Sequence, residues 1–129
     1  MNPMEYSDKI KACYKAASNY PDLAKRLGQI GVESYTVDTA SGTILYRFAE
    51  GKNILQPGNN AVRIIQVNFD EQKTIQAVRN NQQGKTDYPS FMNEIAEAGA
   101  RFYEATLRGQ NKRVTYIGIG GFYEEAIPQ

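Results

Sequence analysis

The sequence contains no histidine and only one cysteine in 129 residues. Without imidazole, the commonest general base, the Ser-His and Cys-His nucleophile pairs and the commonest transition-metal ligand are all missing. The lone thiol, Cys13, cannot close an internal disulfide and suits a reducing compartment. Structural zinc would lack its usual ligands. The expectation is therefore no metal and no cofactor, with no catalytic residue identified. Any chemistry would fall to carboxylates, lysine, tyrosine or Cys13, which weighs against an enzyme.

Excess charge is missing too. Fifteen Lys and Arg stand against 14 Asp and Glu, a net charge of +1. No broad field would draw the chain to nucleic acid or to anionic lipid. No apolar run approaches the roughly 20 residues that span a bilayer. The opening Met1-Asn2-Pro3-Met4-Glu5-Tyr6 lacks the basic head and apolar stretch of a secretory signal. A cytoplasmic protein with no membrane partner is expected. Hydrophobic content of 41% and charged content of 22% suit a globular chain, and the length suits one domain, residues 1–129.

What is present is an internal repeat. Laying Tyr20-Pro21 on Tyr88-Pro89, an offset of 68, brings Leu23 onto Phe91, Leu27 onto Ile95, Gly31 onto Gly99 and Tyr35 onto Tyr103. With two extra residues in the second turn, Ile44 meets Val114 and Tyr46 meets Tyr116. Two copies are too few for a solenoid, so the reading is a pseudo-twofold unit with half-repeats of about 1–67 and 68–129.

Each half parses alike. Tyr6, Ile10, Cys13, Tyr14 and Ala17 fall at helical spacing, as do Ile75 and Val78 within 70–82. Asn19 and Asp87 stand where a cap should accept a first-turn amide, followed by prolines that need no amide hydrogen. Gly31 and Gly99 can end the second helices. The period then becomes two, predicting hairpins over 33–48 and 102–117 and third strands at Val62–Val67 and Phe122–Ile127. The stretch Gly51–Asn60, with Pro57-Gly58-Asn59-Asn60, reads as the longest loop. The fold class expected is α+β: a two-layer α/β sandwich from two tandem helix-helix-strand-strand-strand repeats, with an antiparallel-rich sheet.

Two sets of residues are candidate sites. Tyr35, Tyr46, Tyr103 and Tyr116 would share one sheet face and could line an aromatic cleft at the pseudo-dyad. The competing account is that they fill the core, with hydroxyls reaching its rim. Thr86, Asp87 and Tyr88 lie in the turn before a helix N-terminus, where an anion could bind, although capping accounts for the same residue types. Gly118-Ile119-Gly120-Gly121 lies between strands with no helix after it, so it is a hairpin turn and not a phosphate loop. Arg108, Lys112 and Arg113 are too few for strong phosphate binding. Glu124 and Glu125 point to opposite faces and cannot act as a pair.

The second half resembles a known family. Gln82-Gln83-Gly84-Lys85-Thr86-Asp87-Tyr88-Pro89-Ser90-Phe91, Ala98-Gly99, Val114-Thr115-Tyr116 and the closing Glu125-Ala126-Ile127-Pro128-Gln129 resemble domain-of-unknown-function family 1398. The resemblance implies a small bacterial or prophage protein, some relatives being labelled phage envelope protein, with a YdfO-like two-layer α/β fold and no accepted activity. The family pattern commonly has a histidine where Asn81 stands, a cysteine where Met92 stands and a tryptophan-containing strand where Phe102-Tyr103 stands. A metal or thiol site built on those residues could not survive in this chain.

Two functional classes remain open. One is a ligand- or partner-binding, regulatory module, its partner a small molecule or protein, with a homodimer also open. The alternative is a small histidine-independent enzyme pairing a tyrosine with Glu33 or Glu104 in the inter-repeat cleft. A phenol or carboxyl with a strongly perturbed pKa in a cleft would separate them.

Overall fold

The computed structural model describes residues 2–59 and 61–128. The chain runs α1 (Pro3–Ala16), α2 (Tyr20–Gln29), β1 (Val32–Asp38), β2 (Ile44–Phe48), β3 (Asn53–Gln56), α3 (Glu71–Gln82), α4 (Tyr88–Glu97), β4 (Phe102–Thr106), β5 (Arg113–Gly118) and β6 (Gly121–Ala126). A single 3-10 turn, Ala49–Gly51, joins β2 to β3. The order helix, helix, strand, strand, strand thus occurs twice.

The helices begin where side chains can satisfy their free amides. Asn2, Asn19, Asp70 and Asp87 each accept a hydrogen bond from the backbone N–H three residues on. Pro21 and Pro89 sit in the first turns, where the missing N–H costs nothing. Gly31 and Gly99 follow α2 and α4 with φ of 104° and 85°, a conformation that costs a residue with Cβ but not glycine.

All six strands form one sheet in the order β3-β2-β1-β4-β5-β6, and every pairing is antiparallel. At its centre Thr36 stands opposite Glu104, flanked by the pairs Tyr35–Ala105 and Val37–Tyr103. Alternation sends Tyr35, Val37, Ile44, Tyr46, Tyr103, Ala105, Val114 and Tyr116 inward. There they join Ile10, Cys13, Leu27, Val78, Phe91 and Ile95 in one core cluster beneath the helices. Leu27 and Ile95 are completely buried, each stabilising the fold by roughly 1.5–3 kcal/mol. Thr36, Leu45, Arg47, Glu104 and Thr115 occupy the opposite, half-exposed face. This is the α+β two-layer sandwich with an antiparallel sheet.

The third strand of the first half is not where strand propensity places it. Val62–Val67 carries no strand; Asn53–Gln56, inside the expected loop, pairs with β2 instead. Asn60, the last residue of that expected loop, lies outside the described residues, as do Met1 and Gln129. The reason is topological. The free edge of β2 is within reach of the residues just after the 3-10 turn, so it is already paired before the chain arrives at Val62. Residues 63–70 instead cross the end of the sheet. Arg63 N–H bonds Ala40 O at 2.8 Å and Gln66 N–H bonds Ala96 O at 3.0 Å, a spacing of three that no strand edge uses. In α3 the buried stripe is Thr74, Ala77 and Val78, with Ile75 only half-buried.

Candidate functional site

The N-termini of α2 and α4 each place a tyrosine over the sheet. The caps and prolines fix the entry angle of both helices, so Tyr20 and Tyr88 project from the first turns toward β1 and β4. The Tyr20 hydroxyl bonds that of Tyr35, and the Tyr88 hydroxyl bonds that of Tyr103 at 3.2 Å. From the last turn of α1, Tyr14 meets Tyr46, hydroxyl to hydroxyl, at 2.8 Å. Three helix tyrosines therefore satisfy three strand tyrosines.

The rings pack as well as the hydroxyls bond. Tyr35 and Tyr46 form a cross-strand pair with centroids 5.6 Å apart, and Tyr103 and Tyr116 repeat it at 5.3 Å. Phe91 stands edge-on to both Tyr103 and Tyr116, at 6.3 and 6.4 Å. Tyr116 also stacks on Tyr123, interplanar angle 14°. Such contacts add roughly 0.5–1.5 kcal/mol each beyond the area they bury. The strand tyrosines are 0–7% exposed, whereas Tyr14, Tyr20 and Tyr88 are 37–48% exposed. The cluster thus has a buried floor and a solvent-facing rim.

Burial sets the chemistry. It pushes the phenols of Tyr14, Tyr20, Tyr35, Tyr46, Tyr88, Tyr103 and Tyr116 above their ordinary value, because a phenolate there would lose its hydration. For Tyr88 the charge of Arg63 opposes that rise. At neutral pH the cluster is a set of neutral donors and acceptors, not of bases or nucleophiles. Tyr123, next to Tyr116, is tied separately to Glu125 at 2.7 Å and to Arg79 at 3.2 Å.

Of the residues singled out in the sequence, Tyr35, Tyr46, Tyr88, Tyr103 and Tyr116 come together here. Thr86 and Asp87 stand in the turn before α4: the Thr86 carbonyl accepts from Asn81 at 3.2 Å while its hydroxyl is buried without a partner among the described residues, and Asp87 caps α4 through Ser90 N–H. The Ser90 hydroxyl, together with that capping bond, holds the Asp87 carboxyl below its usual range. Glu104 follows Tyr103 along a strand and so faces away from the cluster. Glu33 is ion-paired with Arg108. Among the described residues no carboxylate accepts a hydrogen bond from any of the three tyrosine pairs.

Tyr14 and Tyr20 are the residues that sequence reasoning left out. Tyr20 carried a signal, since it belongs to the repeated Tyr-Pro. Tyr14 carried none: it has the helical spacing of the apolar stripe, and only the apposition of α1 on β2 gives it a partner.

Among the described residues no cluster of three or more Cys, Asp or Glu side chains is placed to hold a metal ion. Among the same residues no helix is long and apolar enough to cross a membrane. Two surface cavities, of about 410 and 260 Å³, lie at the start of α3 and at the end of α2, away from the tyrosines.

Fold and site define a class: a two-layer α+β protein with a neutral tyrosine cluster between its helix ends and its sheet. The chain belongs to the family described as Protein of unknown function (DUF1398), whose model matches residues 8–121. No curated protein matches it.

Proposed function

We propose that this protein is a binding module, one domain of bacterial or prophage origin acting in the cytoplasm, and that its ligand seats on the rim formed by Tyr14, Tyr20 and Tyr88. The pairing of each rim hydroxyl with a buried one carries this reading. It fixes three phenols at the surface in defined orientations, which is how a rigid aromatic platform presents polar groups to a ligand. Because the phenols stay neutral, the ligand they suit is flat or amphipathic, uncharged where it meets the rings, with acceptor atoms at its edge. The phenols are strongly perturbed, as the enzyme reading asked, but upward; a phenol raised by burial is a poor base at neutral pH, which argues against the tyrosine–glutamate enzyme. The repeated element order, the matched caps and the matched tyrosine pairs support reading the halves as copies of one unit, with YdfO-like relatives in the same class.

The test is a thermal-shift screen of the purified chain against metabolites and nucleotides. Binding to the native state raises stability by roughly 2.7 kcal/mol at a hundredfold excess over Kd. A hit should weaken in Tyr20→Phe and Tyr88→Phe when Kd is measured well below each variant's Tm. A ligand bound equally by wild type and by all the rim variants would remove the tyrosine rim as the site.

A further inference from the structure

Residues 63–70 lie in a berth at the end of α4. Besides the bonds from Arg63 to Ala40 O and from Gln66 to Ala96 O, Phe69 N–H bonds Ile119 O at 3.0 Å and Asp70 N–H bonds Ala98 O at 2.7 Å. The segment passes so close over Gly99 that a Cβ there would lie 2.4 Å from the Asn68 carbonyl oxygen.

The first half builds the same berth, and none of the described residues fills it. Gly31 N–H bonds Gly28 O at 3.1 Å, as Gly99 N–H bonds Ala96 O at 3.1 Å. Leu107 N–H bonds Glu33 O at 2.8 Å, as Thr39 N–H bonds Arg101 O at 3.1 Å, so Leu107-Arg108 stand where Thr39-Ala40 stand in the occupied berth. Ala49 follows β2 as Ile119 follows β5. These counterparts, Gly28, Gly31, Ala49, Leu107 and Arg108, line the cavity of about 260 Å³ together with Val32 and Glu33. Over Gly31 a Cβ would meet nothing nearer than the Phe48 ring at 3.7 Å.

We propose that this groove is the berth of an extended peptide segment from a partner protein, held by its backbone as Arg63–Asn68 is held. The cavity is smaller than the roughly 300–1,000 Å³ of small-molecule pockets, and the carbonyls of Arg108 and Gly28 are the counterparts of Ala40 O and Ala96 O, which accept from backbone N–H groups three residues apart in the occupied berth.

Charge says which peptide. In the occupied berth the Arg63 guanidinium donates to Asn93 Oδ1 at 2.7 Å. Lys25 holds the same place in α2 that Asn93 holds in α4; the groove-lining carboxylate Glu33 is already neutralised by Arg108, which leaves the charge of Lys25 unpaired among the described residues. An acidic residue therefore replaces arginine at that position. No aromatic follows at the place of Phe69. In the second half that ring lies against Gly118 and Gly121; in the first, Phe48 occupies the Gly118 position, its ring 4.5 Å from Tyr6.

The test titrates the isotope-labelled full chain with a synthetic peptide of residues 61–68 carrying Arg63→Glu, beside the unsubstituted peptide. The expected result is saturable amide shifts centred on Gly28, Gly31 and Ala49, with the acidic peptide binding about tenfold tighter. Gly28→Leu, whose side chain would fill the groove, should abolish binding; Ala49→Trp serves if that variant does not fold. No saturation at millimolar peptide, shifts centred on Ala96 and Gly99 instead, equal affinity for the two peptides, or undiminished binding by the folded filled variant would each overturn the proposal.

Discussion

Tyr20 and Tyr35 meet hydroxyl to hydroxyl, one at the rim and the other 3% exposed. Removing either group breaks the same bond but leaves different remainders. Tyr20→Phe strands a buried hydroxyl and should destabilise by about 1–3 kcal/mol, whereas Tyr35→Phe leaves its partner near water and should cost about 0.5–1.5 kcal/mol. The double variant should recover part of the Tyr20→Phe loss. Urea unfolding of the three variants checks the order; equal costs for the single changes would show that Tyr35 is hydrated some other way.

Stability should be insensitive to the tyrosines through neutral pH and fall above about pH 10. Seven cluster phenols are raised in the folded state above the ordinary tyrosine value of about 10. Their protonated form stabilises the fold fully below that value, and the contribution is lost as pH rises toward the folded values, because the unfolded chain releases these protons first. Ultraviolet absorbance should show tyrosinate appearing together with unfolding. A smooth titration near pH 10 with circular dichroism unchanged would contradict the buried cluster.

Gly99 and Gly84 both have positive φ, at 85° and 74°, but only Gly99 has backbone against it. Gly84→Ala should cost roughly 1–2 kcal/mol, the conformational term alone. Gly99→Ala adds a steric clash with Asn68 and should cost about 1–3 kcal/mol more, or push residues 66–70 off the sheet end. Chemical denaturation separates the two, and matching losses would mean that the crossing segment yields freely.

The Cys13 thiol is 6% exposed, and burial pushes its pKa up, with Arg26 opposing. Alkylation of the native protein should be slow and should accelerate sharply in denaturant. Rapid stoichiometric labelling under native conditions would show that α1 opens locally.

How much was legible in the sequence depends on whether a structure was made locally. The caps at Asn19 and Asp87, the glycines after α2 and α4, and the alternation around Tyr35, Tyr46, Tyr103 and Tyr116 are local chemistry, and each could be read directly. β3 could not, because Asn-Ile-Leu-Gln becomes a strand by pairing with β2 and not by propensity. Val62–Val67 shows the converse: strong propensity with no edge left to join. The floor of the tyrosine cluster could be read from the recurring Tyr spacing and strand alternation. Its rim needed the helix positions, which is why Tyr14 was read as an apolar stripe residue.

The sheet also constrains how the chain reaches its fold. β1–β2, β2–β3, β4–β5 and β5–β6 pair strands adjacent in sequence, and among the described residues only β1–β4 joins the two halves within the sheet. The local hairpins close small loops, whereas the central seam must close one spanning α3 and α4. That seam is satisfied equally well when β1 of one chain meets β4 of another, with the segment crossing the end of the sheet acting as the hinge. Two molecules refolding at high concentration can therefore trade halves without losing a strand pairing, and a domain-swapped dimer is the misassembly to which this architecture is open.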